Sequence, residues 1–171
     1  MVQLATNVGS LKLQNPVLAA SGTFGYGLDL VDFCPPEALG AVVTKGLSPK
    51  PRIGNPNPRI VETPAGMINS IGLQNIGVEA FCTEVLPTLR QRGACVVVNV
   101  FGETEEEYAT VIERLEKEEG IAAYELNVSC PNVNKGGMEF GHDPKLLASL
   151  VSGLRPLTQR PLWVKLSPNA P

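Results

Sequence analysis

The residues of this chain best suited to chemistry are one thiol and a few amides and ammonium groups placed at the ends of apolar runs. Cys130 closes the run Glu125, Leu126, Asn127, Val128, Ser129 and is followed by Pro131 and Asn132. Alternation along an extended segment puts Glu125, Asn127 and Ser129 on one face and Leu126 and Val128 on the other. Pro131 ends the strand and leaves Cys130 at the start of a loop. A thiol there can take a proton or attack a carbonyl, provided that its ordinary pKa of about 8.5 is met by the site or the pH. An inert cysteine beside a turn is the alternative, and spacing alone leaves both open.

Asn127 and Asn132 each donate and accept at once, which suits the edge of a heterocycle with alternating C=O and N–H groups. Turn chemistry beside a proline is the plainer reading. A second amide-rich stretch runs Asn69, Ser70, Ile71, Gly72, Leu73, Gln74, Asn75, and Gly72 would let backbone approach a ligand closely. Lys45 and Lys165 end apolar runs, where an ammonium group is costly unless it meets an anion or a polarised carbonyl, or lies just past its strand in solvent. The acidic runs 103–107 and 116–119 read as solvated helix faces.

These side chains need elements to hold them. A hairpin over 4–13, turning at Gly9 and Ser10, precedes an apolar strand over 16–20 that Ser21 and Gly22 end. A short helix over 27–33 and a strand over 41–46 follow, then a Pro- and Asn-rich excursion and a helix over 78–91, closed by Arg90, Arg92 and Gly93. Next come a strand over 95–102 and a helix that Thr104 caps and that runs to about Glu119. A strand over 122–129, a helix opened by Asp143 and Pro144, and a strand over 161–167 complete the pattern.

Alternating strands and helices predict parallel βαβ units, wound as an open sheet or closed as a barrel. Ser21, Lys45, Asn99, Asn127 and Lys165 all fall at or near C-terminal strand ends, which converge on one face only in a barrel. No GxGxxG fingerprint follows the first strand, which also disfavours the open dinucleotide fold. The fold class expected is therefore α/β, a (β/α)8 TIM barrel, with 1–171 as a single partial domain holding the N-terminal hairpin and roughly strands one to five. A whole barrel needs about 250 residues, so the remaining strands are expected on a further piece.

With 43% hydrophobic residues and a formal charge of −3, the chain has a globular core and no cationic surface for nucleic acid or anionic membrane. There is no apolar run of membrane-spanning length and no signal-peptide layout, so a cytoplasmic location is expected. Cys34, Cys82, Cys95 and Cys130 form no CxxC pair, and His142 is the single histidine, which argues against disulfides and a bound metal. The first three cysteines read as buried or half-buried hydrophobes.

Four pieces carry a resemblance: residues 20–25 (Ala20, Ser21, Gly22, Thr23, Phe24, Gly25), Thr44-Lys45-Gly46, the stretch 69–75, and Asn127 through Asn132. With them the sequence resembles class 1 dihydroorotate dehydrogenases over essentially its whole length. The resemblance implies an FMN-containing barrel that oxidises dihydroorotate to orotate in pyrimidine (UMP) synthesis. Cysteine at position 130 looks like class 1, since the membrane-linked class 2 has serine there. Residues 133–144 look more like the NAD-dependent subgroup (type 1B) than the fumarate-dependent one (type 1A).

The 1B resemblance implies a homodimer of catalytic chains joined to electron-transfer subunits, a heterotetramer, with FAD and a [2Fe–2S] cluster on the partner because this chain has no cysteine cluster. Carried over, Ser21, Lys45, Gly46, Asn99, Asn127 and Lys165 would contact FMN. Lys45, Asn69, Ser70, Ile71, Gly72, Leu73, Asn127 and Asn132 would hold dihydroorotate. Cys130 would take the proton from C5 while hydride leaves C6 for flavin N5. Flavin phosphate sites on such barrels form after strands seven and eight, so the 171-residue chain alone is expected to bind FMN weakly or not at all and to be inactive. The competing readings are another FMN barrel acting on pyrimidines, such as the flavin domain of dihydropyrimidine dehydrogenase, and a non-catalytic half-barrel with a structural role. Residues 133–142 read as either a lid or a long turn.

Overall fold

The computed structural model describes residues 2–128 and 140–167. Its spine is a five-stranded parallel sheet whose strands lie side by side in chain order. They are β3 (Leu18–Ala19), β4 (Ala41–Val43), β7 (Val96–Val100), β8 (Ile121–Asn127) and β9 (Leu162–Lys165). An antiparallel hairpin, β1 (Thr6–Val8) with β2 (Leu11–Leu13), precedes them, and its turn uses Gly9 at φ 58°. All five residues of β7 are buried, as expected for a strand covered on both faces.

The two faces of the sheet build two cores. On the concave side Ala41, Val43, Val97 and Ala123 pack with Leu13 of the hairpin, which plugs that end of the interior. On the convex side Val96, Val98, Val100, Tyr124, Leu126 and Val128 pack against the helices. A register irregularity between β7 and β8 inserts one residue, so that Val96 faces Ile121 but Val97 faces Ala123. That bulge resets the alternation of β8, sending Ile121 and Tyr124 to the helices and Ala123, Glu125 and Asn127 inward.

The helix layer starts with α1 (Gly77–Ala80) and α2 (Leu86–Gln91), joined by a π-helical turn over Phe81–Val85. Pro87 has no N–H to continue an α-helical ladder, and the wider turn just before it absorbs the missing bond. Next, α3 (Glu105–Leu115) is capped by Thr104, whose side chain accepts from Glu107 N–H, while the Glu107 carboxylate accepts from Glu103 N–H at 2.7 Å. Asp143 caps α4 (Pro144–Leu154), accepting from Lys145 and Leu146 N–H. Both caps stand where hydroxyl and carboxylate signals placed them.

Four expectations are corrected. Residues 27–33 form turns, not a helix: Gly27 has φ 94°, Tyr26 N–H bonds to the Asp29 carboxylate, and Pro35 and Pro36 lack the donors that would extend the turn at Leu30. Helix α3 ends at Leu115 and not near Glu119. The run 116–119 is not a uniformly solvated face either, because Glu116 turns in to accept from Tyr124 Oη, Thr158 Oγ1 and Arg160 Nη1 at 2.7–2.8 Å. Finally, the excursion before α1 contains a hairpin, β5 (Ile60–Thr63) with β6 (Gly66–Asn69). Among the described residues no helix is long and apolar enough to cross a membrane.

Candidate functional site

The strand ends gather the polar residues on the concave side of the sheet. Asn99, next to last in β7, is fully buried. Its backbone N–H donates to Thr44 Oγ1 at 3.2 Å and its Nδ2 donates to Glu125 Oε1 at 2.6 Å. Those bonds fix the amide so that Oδ1 points away from the carboxylate, and among the described residues this buried oxygen has no hydrogen-bond partner. Gly46 keeps the adjoining space open, since a Cβ there would stand 2.8 Å from Asn99 Oδ1 and 3.8 Å from Asn127 Nδ2.

Asn127 ends β8 opposite Lys165 of β9, and both side chains are half-buried. Its carbonyl accepts from Tyr108 Oη at 2.6 Å, and the Tyr108 ring stacks edge-on against Phe140 at 5.9 Å. Buried Tyr108 of α3 therefore pins the end of β8 from the helix layer.

The second half of the site is a cleft of about 430 Å³ between the strand ends and the β5–β6 hairpin. Lys45 and Gly22 line one side, and Ile60, Met67 and Asn69 through Leu73 line the other. The loop after β6 is held by backing from the segment before β5: Ser70 N–H donates to Arg59 O, Asn55 N–H to Ile71 O, and Asn55 Nδ2 to Ser70 O. Gly72 (φ 76°) and Leu73 (φ 58°) both take left-handed backbone, and a Cβ on Gly72 would lie 2.6 Å from Asn55 N. Glycine is thus required at the first of these positions, and Leu73 holds a conformation unusual for its type.

Of the residues singled out by sequence, Gly46, Asn99 and Asn127 are adjacent, Lys45 meets the 69–73 stretch in one cleft, and Lys165 neighbours Asn127. Ser21 is half-buried beside Gly22 at the cleft edge. Cys130 and Asn132 lie outside the described residues, as do most of residues 133–142. Sequence reasoning missed Glu125 as the partner that orients Asn99, although an acid among apolar strand residues was a visible signal. It also missed the lining by Ile60 and Met67, because the hairpin went unrecognised. The remaining described cysteines play no part here: Cys82 is buried, with its thiol pushed up to about 11 by burial, and burial also raises that of half-buried Cys95.

Chemically, the arrangement is a wall of amides and one carboxylate with two ammonium groups at its ends. It suits a planar ligand with N–H and C=O edges and an anionic substituent.

The family model described as Dihydroorotate dehydrogenase matches residues 3–171. The chain is 53% identical to the protein named "Dihydroorotate dehydrogenase B (NAD(+)), catalytic subunit" of Geotalea uraniireducens (strain Rf4), covering 97% of this chain and 54% of that one. It is 55% identical to the "Putative dihydroorotate dehydrogenase A (fumarate)" of Aquifex aeolicus (strain VF5), covering 98% of this chain and 55% of that one. Among solved structures, DHODH from Eimeria tenella in complex with ferulenol superposes with a TM-score of 0.79 at 23% identity, covering 98% of this chain and 53% of the other. This likeness shows the fold, with β3, β4, β7, β8 and β9 as the first five strands of a (β/α)8 barrel. The chain spans about half the length of the curated relatives it matches.

Proposed function

Because the chain belongs to the dihydroorotate dehydrogenase family, we propose that it forms the first five strands of a catalytic barrel that oxidises dihydroorotate to orotate with FMN in pyrimidine synthesis. The observation that carries this reading is the cleft in which Lys45 faces the Asn69–Leu73 loop, beside the Gly46, Asn99 and Asn127 cluster. The residues fit a flavin. Among the described residues Asn99 Oδ1 is a buried acceptor with no partner, and Gly46 leaves the approach to it without a side chain. When bound, FMN supplies the acceptor for the hydride that leaves C6 of the substrate.

In this reading Ser21, Lys45, Gly46, Asn99, Asn127 and Lys165 hold the flavin, and Lys45 also neutralises the substrate carboxylate. Asn69, Ser70, Ile71, Gly72 and Leu73, with Asn127 and Asn132, hold the dihydroorotate ring. Cys130, two positions beyond Val128 in the sequence, takes the C5 proton. Dihydroorotate added without oxygen to the flavin-loaded full-length protein should bleach the flavin band, and a band that stays unchanged rejects the reading. Cys130→Ala should cut turnover by about 10² to 10⁴ while the flavin stays bound. Dihydrouracil tests the neighbouring pyrimidine chemistry and is expected to be inert.

The electron acceptor is open to two assignments, because the relatives include proteins named for NAD(+) and for fumarate. The NAD assignment places FAD and a [2Fe–2S] cluster on an electron-transfer partner, in a cytosolic heterotetramer built on a dimer of catalytic chains. It is supported by the words "catalytic subunit" in the names of several relatives. Fumarate-dependent turnover by the catalytic chain with no partner would decide for the other. The 171-residue chain by itself should retain FMN weakly or not at all, which dialysis of the reconstituted chain would measure.

A further inference from the structure

Asn75 lies outside the cleft, is 6% exposed, and spends its whole side chain on Leu73 of the cleft wall and on Ser48 and Gly77 behind it. Its Nδ2 donates to Leu73 O and to Ser48 Oγ, both at 2.9 Å. Its Oδ1 accepts from Gly77 N–H at 2.9 Å and from Ser48 N–H at 3.3 Å. The Ser48 hydroxyl in turn reaches Lys50 O at 2.8 Å. Both amide hydrogens and the carbonyl oxygen are therefore engaged, and the amide orientation is determined by its partners.

The bridge joins two segments that matter to the cleft. Ser48 follows Lys45 by three positions in the sequence, and Leu73 is the left-handed residue that turns the loop across from that lysine. The Asn75 backbone adds a two-way pairing with Arg52, so the loop's C-terminal end is fastened from three directions. A left-handed leucine persists only where its surroundings hold it, and the bond from Asn75 Nδ2 to its carbonyl does so directly.

We propose that Asn75 is a positioning residue that holds the Ser70–Leu73 loop at its working distance from Lys45 and so sets affinity for the substrate ring. This rests on the dihydroorotate reading for the identity of the ligand, but not for the positioning itself. Asp at position 75 keeps the acceptor oxygens and the shape, but it loses the donors to Leu73 O and Ser48 Oγ and sets a carboxylate oxygen against the Leu73 carbonyl, so the hold on Leu73 turns into repulsion.

The test uses the flavin-loaded full-length protein with Asn75→Asp and, as a milder second variant, Ser48→Ala. Hydrogen exchange without substrate should quicken at 70–73 by about tenfold or more in Asn75→Asp, with β7 and β8 unchanged. KM for dihydroorotate and the Kd for orotate, read from the flavin spectrum, should rise by about tenfold while kcat changes by less than about threefold. Ser48→Ala should move all three the same way by less, and it carries the measurement if Asn75→Asp does not fold. Unchanged loop exchange in both variants overturns the proposal, and so does faster exchange spread equally over the sheet. Faster loop exchange with unaltered KM and Kd overturns the link to affinity. A wild-type protein that ignores dihydroorotate and orotate would instead reject the functional reading, and the exchange data would still judge the positioning.

Discussion

Tyr124 and Glu125 are consecutive on β8 and face opposite layers, and the polar groups around them are used in different ways. On the helix side, Tyr124 Oη donates to Glu116 and accepts from Arg160 Nη1, while Thr158 Oγ1 and Arg160 also donate to Glu116 and Arg160 reaches Glu118 O. The cluster closes on itself. On the inner side, Glu125 takes one amide hydrogen of Asn99 and leaves Asn99 Oδ1 without a partner, while the ion pairs among the described residues pass over Lys45 and Lys165. Saturation marks a cluster that serves stability, and unused capacity at strand ends marks one that waits for a ligand.

The largest effect should come from the closed cluster. Glu116→Ala strips the acceptor from three donors and leaves Arg160 without its carboxylate, so urea unfolding should show a loss of about 2–4 kcal/mol. Flavin binding by the folded fraction should not change, and a loss there would blur the contrast between the two layers. The same layer should be closed to reagents. With its thiol pushed up to about 11 by burial, Cys82 carries on the order of a hundredfold less thiolate at pH 8 than an unperturbed cysteine. Iodoacetamide should leave it unlabelled in the native protein, and rapid labelling would show that the layer opens.

At the rim the pattern should reverse. Asn99→Ala should weaken flavin binding by about tenfold and cost about 1–2 kcal/mol of unfolding stability, less than Glu116→Ala, because it loses the bond to Glu125 but removes an unmet acceptor. The smallest effect is acid sensitivity. Burial draws the Glu116 carboxyl upward, but hydrogen bonds from Tyr124 and Thr158 and the charge of Arg160 outweigh it and hold it below the ordinary 4.5. Its stabilisation is present above that ordinary value and is lost as pH falls through the lower native one. The stability gap between wild type and Glu116→Gln should therefore narrow below pH 4.5. A constant gap would mean that charge plays no part in the cluster.

Much of this was legible because strands and caps are local. The five parallel strands, the Thr104 and Asp143 caps and the inward face of Glu125 and Asn127 follow from alternation and end signals. The closed cluster was not legible, since Glu116 meets Thr158 and Arg160 only after the chain has passed through β8 and α4, and an acidic run reads as solvated until such partners are known. The β5–β6 hairpin was hidden by the proline in its turn, although Pro64 and Ala65 between Ile60–Thr63 and Gly66–Asn69, with the glycine that follows them, carry the composition of a turn. The false helix at 27–33 came from weighing apolar residues over the two prolines that follow. The meeting of Lys45 with the 69–73 loop was anticipated through the family resemblance, because no local rule brings them together.

The strand order has a consequence for how the sheet is made. Each parallel strand after β3 pairs with the parallel strand before it in the chain, so each of them meets a partner already synthesised. A growing polypeptide can add β7 to β4, then β8 and β9 in turn, each docking on a template already formed, with its helix covering the apolar face soon after. Assembly by accretion leaves the outer edge of β3 open but covers each advancing edge as the next strand docks, which shortens the interval in which an advancing edge could capture another molecule.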